Sequence, residues 1–433
     1  MKLFTVLKDS YREAVDGKIF QAMVIIAGLF ILFVASISYK PLTLKDTLEN
    51  QYRLLNRFLS NNPGVGSPTF TVENYQITNG ATEPWQADYE LDIVLTCPNK
   101  DALALTRKSG IPGSKLETLK PMFDQTYYYL NNVNIRELPS ETAGQVRFKV
   151  TTQGTSVTEA TAWPHEPTVL FGVNAPIFTG TLRSLVYMVE QSLVNFLGGL
   201  ALLLIGVIIT AGFVPNLLRK GTLDLYIVKP IGRSELLVYK YIGGLLFALI
   251  LTSFTVIGVW LAIGLRAGVW APEFLMLIPI ITMYFAILYA VSVLAAVLTR
   301  SALVAILVAL LAWGGFSLAG YLNGKINTAR AEEGKLRQMM GPDAPPADGG
   351  SALGLPRNAE TAIHFAARAL PRGWDLDTQS ARAIAHGVLT EQEIKKRNLD
   401  EELPSWAETV GVSLGWIALL LGLACWRFET RDG

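Results

Sequence analysis

Hydrophobic and polar positions along this chain fall into two regimes, long runs without any charge and short stretches in which apolar and polar residues alternate. Runs free of Asp, Glu, Lys and Arg cover residues 19–39, 191–218, 241–265, 274–299, 301–324 and 409–426. A helix crosses a hydrocarbon core of roughly 30 Å with about 20 apolar residues at 1.5 Å each. A charge at its centre costs about 3 kcal/mol. These runs therefore predict six membrane-spanning helices, with flanking turns extending the second to 184–218 and the last to 406–426. Before the first of them, Leu3, Phe4, Leu7, Tyr11 and Val15 recur at intervals of three and four. Residues 1–18 are accordingly expected to carry a short amphipathic helix along the inner leaflet. The acidic Asp9, Glu13 and Asp16 in this segment, and the length of the apolar run after it, argue for an uncleaved span and against a signal peptide.

Alternation dominates residues 40–183. Tyr89, Leu91, Ile93 and Leu95 alternate with Glu90 and Asp92, which predicts a half-buried strand; Val146, Phe148 and Val150 repeat the pattern, and 70–77 is a weaker third strand. Residues 45–59 and 116–130 have helical spacing, and turn chemistry at Asn61-Asn62-Pro63-Gly64, Asn79-Gly80 and Ile111-Pro112-Gly113 separates the elements. A segment of that length holds its own core, so an α+β domain is expected between the first and second spans. Residues 325–405 differ. Gly341-Pro342-Asp343-Ala344-Pro345-Pro346 through Gly349-Gly350 reads as a linker, flanked by short amphipathic helices at 358–370 and 391–402.

Charge then sets orientation. Lys2, Lys8, Arg12 and Lys18 precede the first span; Arg219, Lys220, Lys229, Arg233 and Lys240 follow the second; Arg300 lies in the next inner turn, and Arg427 and Arg431 in the tail 427–433. The opposite side has only Arg266 in its one short loop. Basic residues stay inside, so both termini are expected in the cytoplasm and residues 40–183 and 325–405 outside. The fold class that follows is a membrane all-α protein, six helices, N-in and C-in, with an α+β extracytoplasmic domain.

Composition agrees: 51% of residues are hydrophobic and only 17% charged, too apolar for a soluble chain of 433 residues. Lys and Arg (37) nearly cancel Asp and Glu (36), leaving no field to draw nucleic acid. Cys97 and Cys425 form no disulfide framework and are expected to be free thiols on opposite sides of the membrane. No phosphate-cradling Gly-x-x-x-x-Gly-Lys-Ser/Thr occurs, and Gly324-Lys325 is followed by Ile326. His165, His364 and His386 are scattered, and no Gly-x-Ser-x-Gly or His-Glu-x-x-His is present, so neither a catalytic site nor a metal site is expected. The six charge-free runs carry no Asp, Glu, Lys, Arg or His, which argues against an ion-coupled pump. Glu190 sits at the outer edge of the second span, where a hydrated interfacial carboxylate is the simpler reading and a substrate contact, with Asn195, the sharper one. Asn195, Thr210, Thr252, Ser253 and Thr255 are expected to join helices by hydrogen bonds.

The most informative stretch is the loop 219–240. It reads Arg219-Lys220-Gly221-Thr222-Leu223-Asp224-Leu225-Tyr226-Ile227-Val228-Lys229-Pro230-Ile231-Gly232-Arg233, then Ser234-Glu235 and on to Lys240-Tyr241-Ile242-Gly243. Leu223, Ile227 and Ile231 share a helical face, an oily surface for so short an element unless it packs on the inner leaflet or on a partner. Pro230 ends it, and Ser234 is placed to cap the next helix with Glu235 and Leu236 in its first turn.

Gly221, Thr222, Leu223, Leu225, Lys229, Pro230, Ile231, Arg233, Lys240, Tyr241 and Gly243 resemble the permease subunits of ABC transporters. Among these they are similar to ABC-2 type permeases, a group that includes the membrane subunit of nitrous-oxide-reductase maturation. Asp224 stands where that family usually has Glu. The resemblance implies that a separate ABC ATPase subunit docks on Arg219, Lys220, Gly221, Thr222, Leu223, Asp224, Lys229, Pro230, Arg233, Glu235 and Lys240. It also implies that two permease copies pair, as a homo- or heterodimer surrounded by membrane lipid, and that ATP and Mg are bound by the ATPase and by no residue of this chain. A multi-pass permease in the cytoplasmic (inner) membrane of a bacterium is the function expected, one that exports or handles an unidentified substrate. The competing reading is a membrane-anchored sensor or assembly scaffold whose outer domain binds an envelope partner. A third, a cell-envelope enzyme, lacks a cluster of catalytic side chains in 40–183.

Overall fold

The structure, a computed structural model, describes residues 18–60, 67–111, 113–126, 130–140, 142–153, 160–174, 180–199, 232–340, 357–397 and 405–430. In chain order the elements are α1 (Lys18–Ala35), β1 (Ser38–Pro41), α2 (Leu44–Ser60), β2 (Thr69–Ile77), β3 (Tyr89–Thr96), α3 (Lys100–Lys108), α4 (Leu116–Thr126), β4 (Asn131–Leu138), β5 (Gln145–Gln153), β6 (Pro164–Val169), β7 (Val173–Asn174) and β8 (Gly180–Thr181). They continue with α5 (Leu182–Gly199), α6 (Arg233–Ala267), a 3₁₀ turn (Pro272–Met276), α7 (Leu277–Thr299), α8 (Ala302–Met340), α9 (Arg357–Ala369), α10 (Gly373–Val388), α11 (Glu391–Lys396) and α12 (Trp406–Thr430). The chain divides into two compact units. One is residues 36–186 with 265–269, and the other holds the remaining helices.

The smaller unit is α+β. Its main sheet runs β2-β3-β5-β4, all antiparallel, and a second sheet joins β1, β6 and β7, with β8 on β6. On β5 the alternation is kept, Val146, Phe148, Val150 and Thr152 being buried, opposite Leu95, Ile93, Leu91 and Tyr89 of β3. The half-buried strand expected at β3 is instead buried on both faces. Val94 is covered and Asp92 is only 6% exposed, because Arg147 Nη1 at 3.2 Å and Asn74 Nδ2 at 2.7 Å satisfy its carboxylate. Asn74 reaches it from a bulge in β2, where its φ is 49°. Packed on the other face, Leu44, Leu48, Tyr52 and Leu59 of α2 complete the core with Leu119 and Phe123 of α4. Asn56 locks α2 to the sheet edge by accepting from Phe70 N at 2.8 Å and donating to Phe70 O at 2.9 Å.

The periodicity missed β4 and α3. Strand β4 is an edge strand whose side chains are mostly exposed, so it carries no apolar alternation. Helix α3 is short and announced chiefly by Asn99, whose Oδ1 accepts from Ala102 N at 2.7 Å. The helix expected at 116–130 ends at Thr126.

In the larger unit, four helical stretches among the described residues are long and apolar enough to cross a membrane: Arg233–Ala267, Pro272–Thr299, Ala302–Arg330 and Trp406–Thr430. The apolar helix of the first run is shorter, ending at Ala35, and Ser38 and Tyr39, counted in the first span from their lack of charge, belong to β1. The second run is helical through Gly199; residues 200–218, the loop residues 219–231 and the amphipathic segment 1–17 lie outside the described residues. The spans expected at 241–265 and 301–324 are parts of longer helices. Helix α6 begins eight residues earlier, and α8 runs on to Met340 through residues of good helix propensity.

Residues 325–405 hold more structure than a linker with two flanking helices. Helix α9 matches expectation, α11 starts at Glu391 under a Thr390–Glu393 capping box but stops at Lys396, and the intervening α10 was not expected. The linker stretch 341–350 lies outside the described residues. Arg372, 7% exposed, pairs with Glu408 of α12 at 2.7 Å and Asp375 at 3.8 Å, and Trp416 Nε1 donates to Ala369 O at 2.6 Å. These contacts tie the end of α9 and the start of α10 to the last helix.

On α10, burial pushes the Asp377 carboxyl from its ordinary 3.8 up to about 7. The folded state thus holds this proton more tightly than the unfolded chain. The group's contribution to stability falls as pH rises between about 4 and 7, and the full cost is present above 7. Asp377→Asn is expected to stabilise the protein above pH 7 by on the order of 2 kcal/mol, discounted because the side chain is only part-buried. Thermal unfolding of native and variant protein at pH 4.5 and 7.5 checks this: the gap between them is expected to open only at the higher pH.

Candidate functional site

The start of α6 is the described part of the segment singled out in the sequence. The helix opens with Leu236 N donating to Gly232 O at 3.0 Å. Gly232 therefore occupies the cap position, and Ser234, expected to cap, lies within the first turn with Glu235. Arg233 is half-buried and Glu235 exposed, while Lys240 is buried at 6%. These three sit on the first two turns of a helix that runs unbroken into the apolar stretch. Arg219, Lys220, Gly221, Thr222, Leu223, Asp224, Lys229 and Pro230 lie outside the described residues.

From this start, Leu236, Leu237, Lys240, Tyr241 and Gly244 recur at helical spacing as a buried stripe. The stripe meets α7 through aromatic rings. Tyr241 stacks on Tyr289 with centroids 5.0 Å apart and planes at 12°, and Phe285 lies on the same Tyr289 at 5.4 Å. The Tyr241 hydroxyl donates to Ala286 O at 2.8 Å, a carbonyl of α7. Tyr289 can come so close because position 244 has no side chain: a Cβ there would lie 2.5 Å from its Cε1. Of the Gly243-Gly244 pair, it is Gly244 that admits the ring. Sequence reasoning missed both Gly244 and Tyr289. The available signal was a glycine three residues after Tyr241, on the same helix face, but nothing local identifies the ring it faces. The same buried cluster includes Leu420, Ala424 and Phe428 of α12, so Leu237 and Tyr241 of α6 share one apolar core with residues of α7 and α12.

Glu190 and Asn195 are not brought together. Five positions apart, they point about 140° apart around α5. Asn195 is exposed and accepts from Gln191 Nε2 at 3.3 Å. Glu190 is 1% exposed, and its Oε2 meets no hydrogen-bond partner among the described residues, so the carboxylate read as interfacial is enclosed by this chain. Elsewhere in this unit, Gly387 of α10 is packed against Oε2 of Glu273. One turn before Glu190, the Arg397 guanidinium lies over the Tyr187 ring at 5.3 Å. The reading of polar span residues as links between helices also changes at Thr255, whose hydroxyl donates at 2.9 Å to Leu251 O on its own helix. His165 is a core residue: 4% exposed, its Nδ1 is 2.8 Å from Trp163 O, and burial lowers its pKa. Cys97 and Cys425 are free, and no group of three or more His, Cys, Asp or Glu able to hold a metal occurs among the described residues.

Long apolar helices packed through a ring stack, with an α+β unit inserted after the first, mark a multi-pass membrane protein. Within that class the chain belongs to the ABC-2 family transporter proteins, whose description it matches over residues 5–433. Members of this family are membrane subunits of ABC transporters. Comparison with curated proteins gives no match, and neither does comparison with solved structures.

Proposed function

We propose that the chain is the membrane subunit of an ABC transporter that works with a separate ATPase subunit and pairs with a second permease copy in the cytoplasmic membrane. Its six spans run from a cytoplasmic amino end to a cytoplasmic carboxyl end, and residues 40–183 and 325–405 lie outside. The observation that carries this reading is the family match over residues 5–433. In it, the ATPase grips residues 219–240 while ATP and Mg are held on the ATPase. Closure of the ATPase pair pushes on the start of α6. The Tyr241–Tyr289 stack and the Tyr241–Ala286 hydrogen bond support transmission of that push into α7 and α12, since a packed ring column moves as a body. The spans carry no Asp, Glu, Lys or Arg in their runs, so the energy comes from the partner. The cargo is moved outward or, as a lipid-like component, handled within the envelope.

Co-purification tests this. Tagged protein solubilised in mild detergent is expected to bring down an ATPase, and Lys229→Glu combined with Arg233→Glu is expected to remove most of it, whereas Lys100→Glu leaves recovery unchanged. An intact complex in the double variant, or no ATPase at all, overturns the assignment and leaves the sensor or scaffold reading. Labelling of a Lys229→Cys protein from outside intact cells overturns the topology.

A further inference from the structure

The β6–β7 hairpin of the α+β unit ends in an unusual tip. Thr168 pairs with Asn174 and Val169 with Val173, leaving Leu170-Phe171-Gly172 as the loop. Short hairpin loops take Asn, Asp or Gly where φ is positive. Here Leu170 has φ 51° and Phe171 φ 61°, a conformation that side chains of this bulk rarely adopt. The strained backbone presents three apolar side chains outward, with Leu170 63%, Phe171 71% and Val173 57% exposed. Residues 167–182 contain no charged side chain. A solvent-facing turn has no reason for this composition, because its usual residues would relieve the strain and the exposure together.

What holds the tip tells what it faces. Phe171 N donates to Ser36 O at 3.1 Å and Leu170 N to Ser36 Oγ at 3.2 Å. Ser36 is the residue immediately after apolar helix α1. The guanidinium of Arg266 lies 5.8 Å from the centroid of the Phe171 ring; its Nε donates to Ile37 O at 3.3 Å, and its Nη2 to Ser38 Oγ. Arg266 lies in the last turn of α6. The tip is thus tied to the chain at the two points where apolar helices end. An arginine at the end of an apolar helix, with an aromatic ring beside it, is the arrangement that membrane–water boundaries favour.

We propose that the Leu170–Val173 tip, held by Ser36 and Arg266, dips into the lipid leaflet, making the bilayer itself the partner of this hairpin. This goes beyond the transporter assignment and rests on the part of it that has α1 and α6 cross the membrane.

Nitroxide labels test it in the full chain, in a Cys97→Ser, Cys425→Ser background, reconstituted in phosphatidylcholine–phosphatidylglycerol vesicles. Labels are placed singly through Phe171→Cys, Val173→Cys, Ile250→Cys in mid-helix α6, and Lys100→Cys on exposed α3. Collision with oxygen and with a water-soluble nickel chelate is measured at each. Labels at 171 and 173 are expected to gain oxygen contact and lose nickel contact relative to position 100, with the same sign as position 250. Two positions are used so that a local disturbance at the strained Phe171 is separable from the position of the hairpin. If 171 and 173 behave as 100 does while 250 reads lipid, the tip inference falls and the membrane reading stands. If both tip labels are shielded from oxygen and nickel alike, a protein surface covers them and the lipid assignment is wrong. If 250 itself meets nickel freely, the membrane reading and the tip inference fall together.

Discussion

Trp163→Ala is expected to destabilise the α+β unit by about 3–5 kcal/mol, a large part of the total that holds a domain of this size together. The side chain is 1% exposed and lies on Tyr89 of the central strand with ring centroids 6.2 Å apart. Its Nε1 donates to Leu42 O at 2.7 Å, so truncation leaves both a cavity and a buried carbonyl without its donor. The same residue's backbone carbonyl accepts from Leu182 N at 3.2 Å, while Leu42 N donates to Pro164 O at 3.0 Å. Trp163 therefore fastens the place where the chain enters the unit, just after β1's end, to the place where it leaves for α5. Loss of the indole is expected to loosen both ends at once. Limited proteolysis of the full chain across a urea series reads this out: the variant's α+β unit is expected to be cut at markedly lower urea. Trp163→Phe keeps most of the packing and loses only the N–H, so about 1–2 kcal/mol is expected there. Equal urea midpoints for native and alanine proteins would remove the role given to this side chain.

Gly244→Val is expected to cost about 3 kcal/mol or more through overpacking. The first added atom falls 2.5 Å from Tyr289 Cε1 and 2.8 Å from its Cζ and Oη. Far ends of flexible side chains yield to such contacts, but this ring is wholly buried and stacked with both Tyr241 and Phe285. Relief must come from separating α6 from α7. Close approach through small residues is how helices associate where apolar surroundings supply no driving force of their own. Thermal unfolding in detergent is expected to show a lowered midpoint. Tyr289→Leu, neutral or harmful alone, is expected to recover part of the loss in the Gly244→Ala background, the coupling expected of residues in contact. Gly314→Ala serves as the contrast, since nothing lies within 4 Å of the Cβ it would add. If Gly244→Ala and Gly314→Ala behave alike, the ring contact is not what fixes these helices. Where Gly244→Ala folds but ATPase co-purifies without productive transport, the stack is acting as the transmission element proposed for it.

Lack of charge over some twenty residues is a local property, and so the sequence determined where apolar helices lie, from the run 241–265 inside α6 to the run 409–426 inside α12. Alternation at two-residue spacing is local too, and it determined β2, β3 and β5 of the α+β unit with α2 beside them. The family was legible too: the resemblance read from Gly221 to Gly243 named the same family that matches over residues 5–433. Tertiary structure alone decided the rest, since each remaining feature depends on residues far apart in the chain. Asp92 is buried because Arg147, 55 positions away, reaches it. Strand β1 pairs with β6 across 130 residues, Ser38 O meeting the Thr168 hydroxyl. Glu190 is enclosed by parts of the fold that its own stretch of sequence does not reveal. Gly244 matters because of one ring on another helix. Spacing along a chain sets which face an element turns inward, but only the packed fold sets what that face meets, and burial, pairing and close approach are all properties of the meeting.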